Sequence, residues 1–162
     1  MGSRYRTKIK EPSLFFVTST LKDWLCLFTS VEMRDPLAGL LFNLFPVKAE
    51  ALMGYVLMPS HVHMMIGCKS GGVQLAEFMR TFKSLSARQL YPGKGSIWMA
   101  GYDDLVIKTE KQFGTKLNYI HENPVRAGLV KRVEDWKWSS AEFWMEDKPH
   151  KVLTKSWEWL GS

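Results

Sequence analysis

Residues 51–68 read ALMGYVLMPSHVHMMIGC. Two apolar runs, 51–58 and 61–68, are separated only by Pro59-Ser60, a break that predicts a tight antiparallel hairpin. The second run places His61 and His63 on either side of Val62. Alternate residues of a strand share a face, so both imidazoles point one way, about 7 Å apart along the chain. Two neutral imidazoles at that spacing suit one divalent cation, and an imidazole without a partner in an apolar strand is costly. A chance pair stays open as the plainer alternative.

Working outward, residues 14–20 (LFFVTST) read as a first strand, rich in aromatic and β-branched side chains. Residues 31–45 suggest a helix with Pro36 in its first turn, stopped by Pro46. Gly71-Gly72 closes the second hairpin strand and leads to a helix over 74–90. Leu75, Phe78, Met79, Phe82, Leu85 and Leu90 cover one face of it; Arg80, Lys83, Ser84 and Arg88 fall on the other. Residues 91–95 (YPGKG) form a loop, 98–102 show no clear period, and 105–109 (LVIKT) suggest a fourth strand. A helix over 111–122 follows, ended by Asn123-Pro124 because the residue before proline resists helical angles. The order β-α-β-β-α-β-α predicts a ferredoxin-like α+β fold: a four-stranded antiparallel sheet with two helices on one face and a third helix added. The chain reads as one domain over 1–162, with a basic arm at 1–12 and a tail at 144–162.

The 162 residues, 46% of them hydrophobic, suffice for one core without covalent staples. A net charge of +6, from 22 Lys and Arg against 16 Asp and Glu, favours an anionic partner: nucleic acid or an acidic membrane surface. Cys26 and Cys68 form no CxxC motif and read as free, buried thiols of a reducing cytoplasm. The longest apolar stretches, 38–45 and 51–58, fall far short of the roughly 20 residues that span a bilayer. No apolar signal core follows the N-terminal charges, so a cytoplasmic location is expected.

In the helix over 111–122, Phe113, Leu117 and Ile120 lie together at 100° per residue and form its buried stripe. Tyr119 sits about 130° from that stripe, with Gln112, Lys116 and Asn123. Tyr119 and Asn123, at i and i+4, reach one site beside the helix. A phenol needs a nearby cation or base, and a polarised electrophile, before it acts as a nucleophile. The amide oxygen of Asn123 suits a hard ion such as Mg²⁺ or Mn²⁺. A half-exposed tyrosine beside an Asn helix cap remains the alternative. His121, about 200° from Tyr119, is expected to cap the helix or to contact the surface. Trp136 and Trp138 read as core.

HVH at 61–63, YIHENPVRAGLV at 119–130 and WSS at 138–140 resemble the REP-associated tyrosine transposases. These are grouped with the single-tyrosine insertion-sequence transposases in the HUH (His-hydrophobic-His) nuclease superfamily. The resemblance runs from about residue 14 to residue 143. It implies that His61 and His63 are metal ligands, that Tyr119 is the nucleophile and that Asn123 is a third, polar ligand. It further implies metal-dependent nicking and strand transfer on single-stranded or hairpin (REP-like) DNA through a 5′-phosphotyrosine, with Mg²⁺ or Mn²⁺ and no nucleotide cofactor. Such an enzyme would be bacterial and nucleoid-associated, and a monomer is favoured over the homodimer of related insertion-sequence enzymes. The chain departs from the pattern after Trp98, where Met99 replaces a common Gln and residues 101–104 lack a common His.

Candidate phosphate contacts are Arg4, Arg6, Lys8 and Lys10 along the arm, Arg80, Lys83 and Arg88 on the helix, and Lys116, Arg126, Lys131 and Arg132 near the nucleophile. Each also reads as an ordinary solvated charge. A non-catalytic nucleic-acid-binding module on the same fold is the alternative function. A two-histidine phosphoesterase would need a second HxT or HxS motif, which is missing.

Overall fold

The computed structural model describes residues 8–156. Its sheet comprises β1 (Ser13–Thr20), β2 (Ala51–Leu57), β3 (His61–Cys68) and β4 (Asp103–Ile107), all antiparallel in the order β2-β3-β1-β4. The main helices are α1 (Val31–Asn43), α2 (Gly71–Leu90) and α3 (Glu110–Arg126), followed by the short α4 (Ala141–Met145). This is the expected ferredoxin-like arrangement. Pairing β3 with β1 in the middle of the sheet puts His63 opposite Thr18 and His61 opposite Thr20.

Both central strands are buried almost throughout because both faces of the sheet are covered. Phe15 and Val17 of β1 join Val62, Met64 and Ile66 of β3 in the core beneath α1 and α2. The alternate residues Leu14, Phe16 and Met65 turn to the other side and pack with Leu117, Ile120 and Trp136. That second face carries α3, and by the same alternation it carries His61 and His63.

A register shift between Leu52 and Gly54 brings Gly54 under α3. A Cβ at Gly54 would stand 2.8 Å from Leu117 Cδ1, so this glycine allows the helix to approach the sheet closely. At the far end Gly71 has φ +67, and a Cβ there would collide with the carbonyl of Ile9. The same carbonyl accepts from Gly72 N–H at 2.8 Å, which ties the incoming chain to the start of α2.

Several boundaries differ from the sequence reading. α2 begins at Gly71 and not at Gln74, α1 ends at Asn43, and β4 lies two residues earlier than expected. α3 does not stop at Asn123-Pro124 but continues to Arg126. The missing N–H of Pro124 removes one bond near a helix end, where such a loss is small. The turn is closed instead by Ala127 N–H to Asn123 O at 3.0 Å and Leu129 N–H to Pro124 O at 2.9 Å. Cys26 is exposed, whereas Cys68 is buried as expected. Residues beyond α4 return to the sheet, where Leu153 bridges Leu52. Among the described residues no helix is long and apolar enough to cross a membrane.

Candidate active site

Rings from three elements converge at the hairpin end of β3. His61 and His63 lie with ring centroids 4.8 Å apart, and Tyr119 of α3 lies 5.2 Å from His63. Phe16 stacks on His63 at 5.5 Å and meets Tyr119 edge-on at 6.0 Å. Asn123, one helical turn after Tyr119, brings Oδ1 to 3.3 Å from His61 Nε2. The helical phase of Tyr119 and Asn123 survives because α3 passes through Pro124 unbroken. His61, His63, Tyr119 and Asn123 thus meet in one place.

Each imidazole is fixed through its Nδ1. Thr18 Oγ1 lies 2.8 Å from His63 Nδ1, and Ser60 Oγ lies 3.1 Å from His61 Nδ1. Donation of Nδ1–H to Thr18 leaves the His63 Nε2 lone pair directed elsewhere, as metal ligation requires, whereas His61 Nε2–H donates to Asn123 Oδ1 and its Nδ1 accepts from Ser60, so that a cation bound there would take the place of the His61 Nε2 proton. His63 Nε2 is buried and has no hydrogen-bond partner among the described residues. Burial, then the neighbouring His61 and Lys116, pushes His63 down to about 3; burial also lowers His61, opposed by its hydrogen bond to Asn123. Both rings are therefore neutral at physiological pH. Two neutral imidazoles, one with an orphaned nitrogen, beside an amide oxygen form a donor set that fits a divalent cation. Among the described residues no three His, Cys, Asp or Glu side chains form such a group, so Asn123 is needed to complete it.

Tyr119 is 36% exposed, so its side chain is partly open to solvent. Two cations flank its ring: Arg126 Cζ at 5.3 Å and Lys116 Nζ at 5.6 Å. Arg126 is shared with Glu122 through a 2.7 Å ion pair whose two side chains are half exposed.

His121 is not at the surface as expected. It is buried, with Nε2 2.8 Å from Ser140 Oγ, and Ser140 Oγ in turn accepts from Tyr55 N–H at 3.0 Å. With Leu117, Ile120 and Pro124 it completes the i, i+3, i+4, i+7 face of α3 that presses on the sheet. The second serine of WSS, Ser140, therefore fastens α3 to β2. Phe113, expected in the buried stripe, is only half-buried and packs on Trp144 at 5.6 Å.

Other candidates are scattered. Arg4 and Arg6 lie outside the described residues. Lys8, Lys10, Arg80, Arg88, Lys131 and Arg132 are exposed and stand apart from the four-residue cluster. Lys83 Nζ donates to the carbonyls of Met99 at 2.8 Å and Gly101 at 2.6 Å, so it ties α2 to the following loop. Trp136 is buried and donates to Leu57 O at 3.2 Å; Trp138 is partly buried and donates to Asp35 at 2.8 Å. Both stack on the Arg34 guanidinium, at 4.7 and 4.0 Å. Trp98, without a clear period in the sequence, is fully buried and donates to Ser86 Oγ at 2.9 Å. The sequence reading missed Trp24, which meets the His61 ring edge-on at 6.3 Å.

No family model matches the chain. The REP-associated tyrosine transposase of Escherichia coli K12 is 24% identical over 124 residues, covering 70% of this chain and 74% of that protein. A Haemophilus influenzae protein provisionally given the same name is 26% identical over 168 residues, covering 90% of this chain and 92% of its own length. A solved structure, described as the REP-associated tyrosine transposase bound to a REP hairpin, matches with a TM-score of 0.69 at 23% identity, over 91% of this chain and 90% of that one. In sequence along most of its length, and in fold, the chain resembles the REP-associated tyrosine transposases.

Proposed function

We propose that the protein is a transposase-like enzyme that nicks and rejoins single-stranded or hairpin DNA through a covalent 5′-phosphotyrosine at Tyr119. The observation that carries this reading is the half-exposed Tyr119 phenol, 5.2 Å ring to ring from a His63 whose buried Nε2 lacks a partner among the described residues, while Asn123 meets His61. His61, His63 and Asn123 would hold Mg²⁺ or Mn²⁺, which when bound supplies Lewis-acid polarisation of a phosphoryl oxygen.

The remaining chemistry falls to the side chains. Tyr119 Oη attacks the scissile phosphorus; the Oη–P bond forms as the P–O3′ bond breaks. The phenol gives its proton to water and the departing O3′ takes one up, so the step is a balanced ester exchange without a nucleotide cofactor. Lys116 and Arg126, at 5.6 and 5.3 Å from the ring, offset the negative charge of the phenolate and hold backbone phosphates. Thr18 and Ser60 keep the imidazoles oriented. Because one chain supplies every member of the cluster, a monomer suffices. Lys8 and Arg80 are exposed cations available to the rest of the strand. The relatives' names support REP-like hairpins as the substrate to try first.

The test is a labelled hairpin strand with an unpaired flank, incubated with Mg²⁺ or Mn²⁺ and run on a denaturing gel. A covalent protein–DNA band that disappears in Tyr119→Phe is expected. Binding without a covalent band would leave only a nucleic-acid-binding module, and cleavage that survives Tyr119→Phe would rule out the tyrosine.

A further inference from the structure

The geometry points to Trp24 as a base-stacking subsite for the leaving nucleotide, the one whose 3′-oxygen departs when Tyr119 attacks. This assignment rests on the strand-transfer reading above. Residues 22–27 form a loop pinned at both ends to the β2–β3 turn: Leu21 N–H donates to Ser60 O at 2.9 Å and Phe28 N–H to Pro59 O at 3.0 Å. Leu21 and Phe28 are fully buried, yet between them Trp24 is 62% exposed. Asp23 and Trp24 both have φ +54, a left-handed conformation that side chains with a Cβ disfavour. Such strain persists only where the surroundings impose it, and it concentrates at sites that contact ligands. A large indole held in this way does not serve the core.

Its position assigns its occupant. Tyr119 meets His63 and Phe16, and Phe16 pairs with Met65, two residues further along β3 than His63. Trp24 meets His61, the residue at the hairpin end of the strand. Phenol and indole therefore flank the imidazole pair from opposite ends. Phosphoryl transfer places the attacking and leaving oxygens roughly in line on opposite sides of phosphorus. A phosphate over the imidazoles, attacked from the Tyr119 side, sends its O3′ and the attached nucleoside towards Trp24. A flat, exposed indole accepts an unpaired base of any identity by stacking. Holding that base keeps the free 3′-hydroxyl beside the phosphotyrosine for rejoining, in which P–O3′ reforms, Oη–P breaks and the proton returns to the phenol.

The test uses full-length protein and hairpin DNA with an unpaired flank, its cleavage position mapped from the labelled adduct. 2-Aminopurine at the leaving nucleotide should be quenched on binding to the wild type and to Trp24→Phe, but not to Trp24→Ala. The DNA concentration giving half-maximal adduct formation should rise about tenfold in Trp24→Ala, with a smaller effect on the maximal rate. An abasic leaving nucleotide should impose the same rise on the wild type and none further on Trp24→Ala. Additive losses, an abasic site without effect, or equal quenching of aminopurine on the opposite side of the scissile phosphate would overturn the subsite. If the wild type forms no adduct at all, the strand-transfer reading fails, and the leaving-nucleotide assignment with it.

Discussion

Acid should loosen α3 from the sheet through one side chain. His121 lies buried between α3 and the Ser140–Tyr55 contact, and burial lowers it from 6.5 to about 4. The folded state therefore resists a proton that the unfolded chain accepts. The stability held by neutral His121 is complete above about pH 6.5, and it is lost progressively as pH falls towards the folded value near 4. With about 1.4 kcal/mol for each pH unit of separation, the full loss is about 3 kcal/mol, of which about 2 falls between pH 7.5 and 5. The perturbation is His121→Gln, which keeps a hydrogen-bonding group towards Ser140 but does not titrate. Urea unfolding followed by tryptophan fluorescence, in metal-free buffer at pH 7.5 and 5, gives the stability of each protein. His63, lowered to about 3, titrates in the same direction in both proteins and cancels in the difference. The wild type should lose about 2 kcal/mol more than His121→Gln over this interval. Equal losses would refute the reasoning and mean that the imidazole is not held neutral beneath α3.

Ser140→Ala removes the partner of both Tyr55 N–H and His121 Nε2, so it should destabilise the fold by about 2 kcal/mol and lower adduct yield as α3 loosens; unfolding curves and the adduct gel check both effects. Gly54→Ala puts a methyl group 2.8 Å from Leu117 Cδ1. It should slow adduct formation at saturating DNA, with a stability loss of about 1–2 kcal/mol, because Leu117 and the helix must shift away from the imidazoles. His61→Ala and His63→Ala should each abolish adduct formation while leaving hairpin binding by anisotropy within about threefold, since phosphate contacts supply most affinity. Loss of binding in parallel would mean that the imidazoles hold DNA directly.

The parts of the site legible in the sequence were those encoded by local period. Alternation along β3 places His61 and His63 on one face, and helical phase places Tyr119 beside Asn123, even though α3 runs about one turn past the Asn-Pro step. The angle of about 200° from Tyr119 removes His121 from the site but does not by itself place it against the sheet with Leu117 and Ile120; its partner, Ser140, is 19 residues away. Gly54 carries no signal in an apolar run, because the register shift that matters is a property of the β2–β3 pairing. Trp24 sits in a stretch without period, where an indole reads as core, and neither Asp nor Trp encodes a left-handed backbone. The burial of Trp98 and the stacking of Trp136 and Trp138 on Arg34 likewise depend on contacts distant in sequence.

Mass spectrometry of the protein–DNA adduct, after nuclease trimming and proteolysis, shows which side chain carries the phosphodiester and through which end of the strand. A single modified peptide with a nucleotide 5′-phosphate on Tyr119 is expected. The phosphate on any other residue, or a nucleotide joined through its 3′-phosphate, would contradict that expectation.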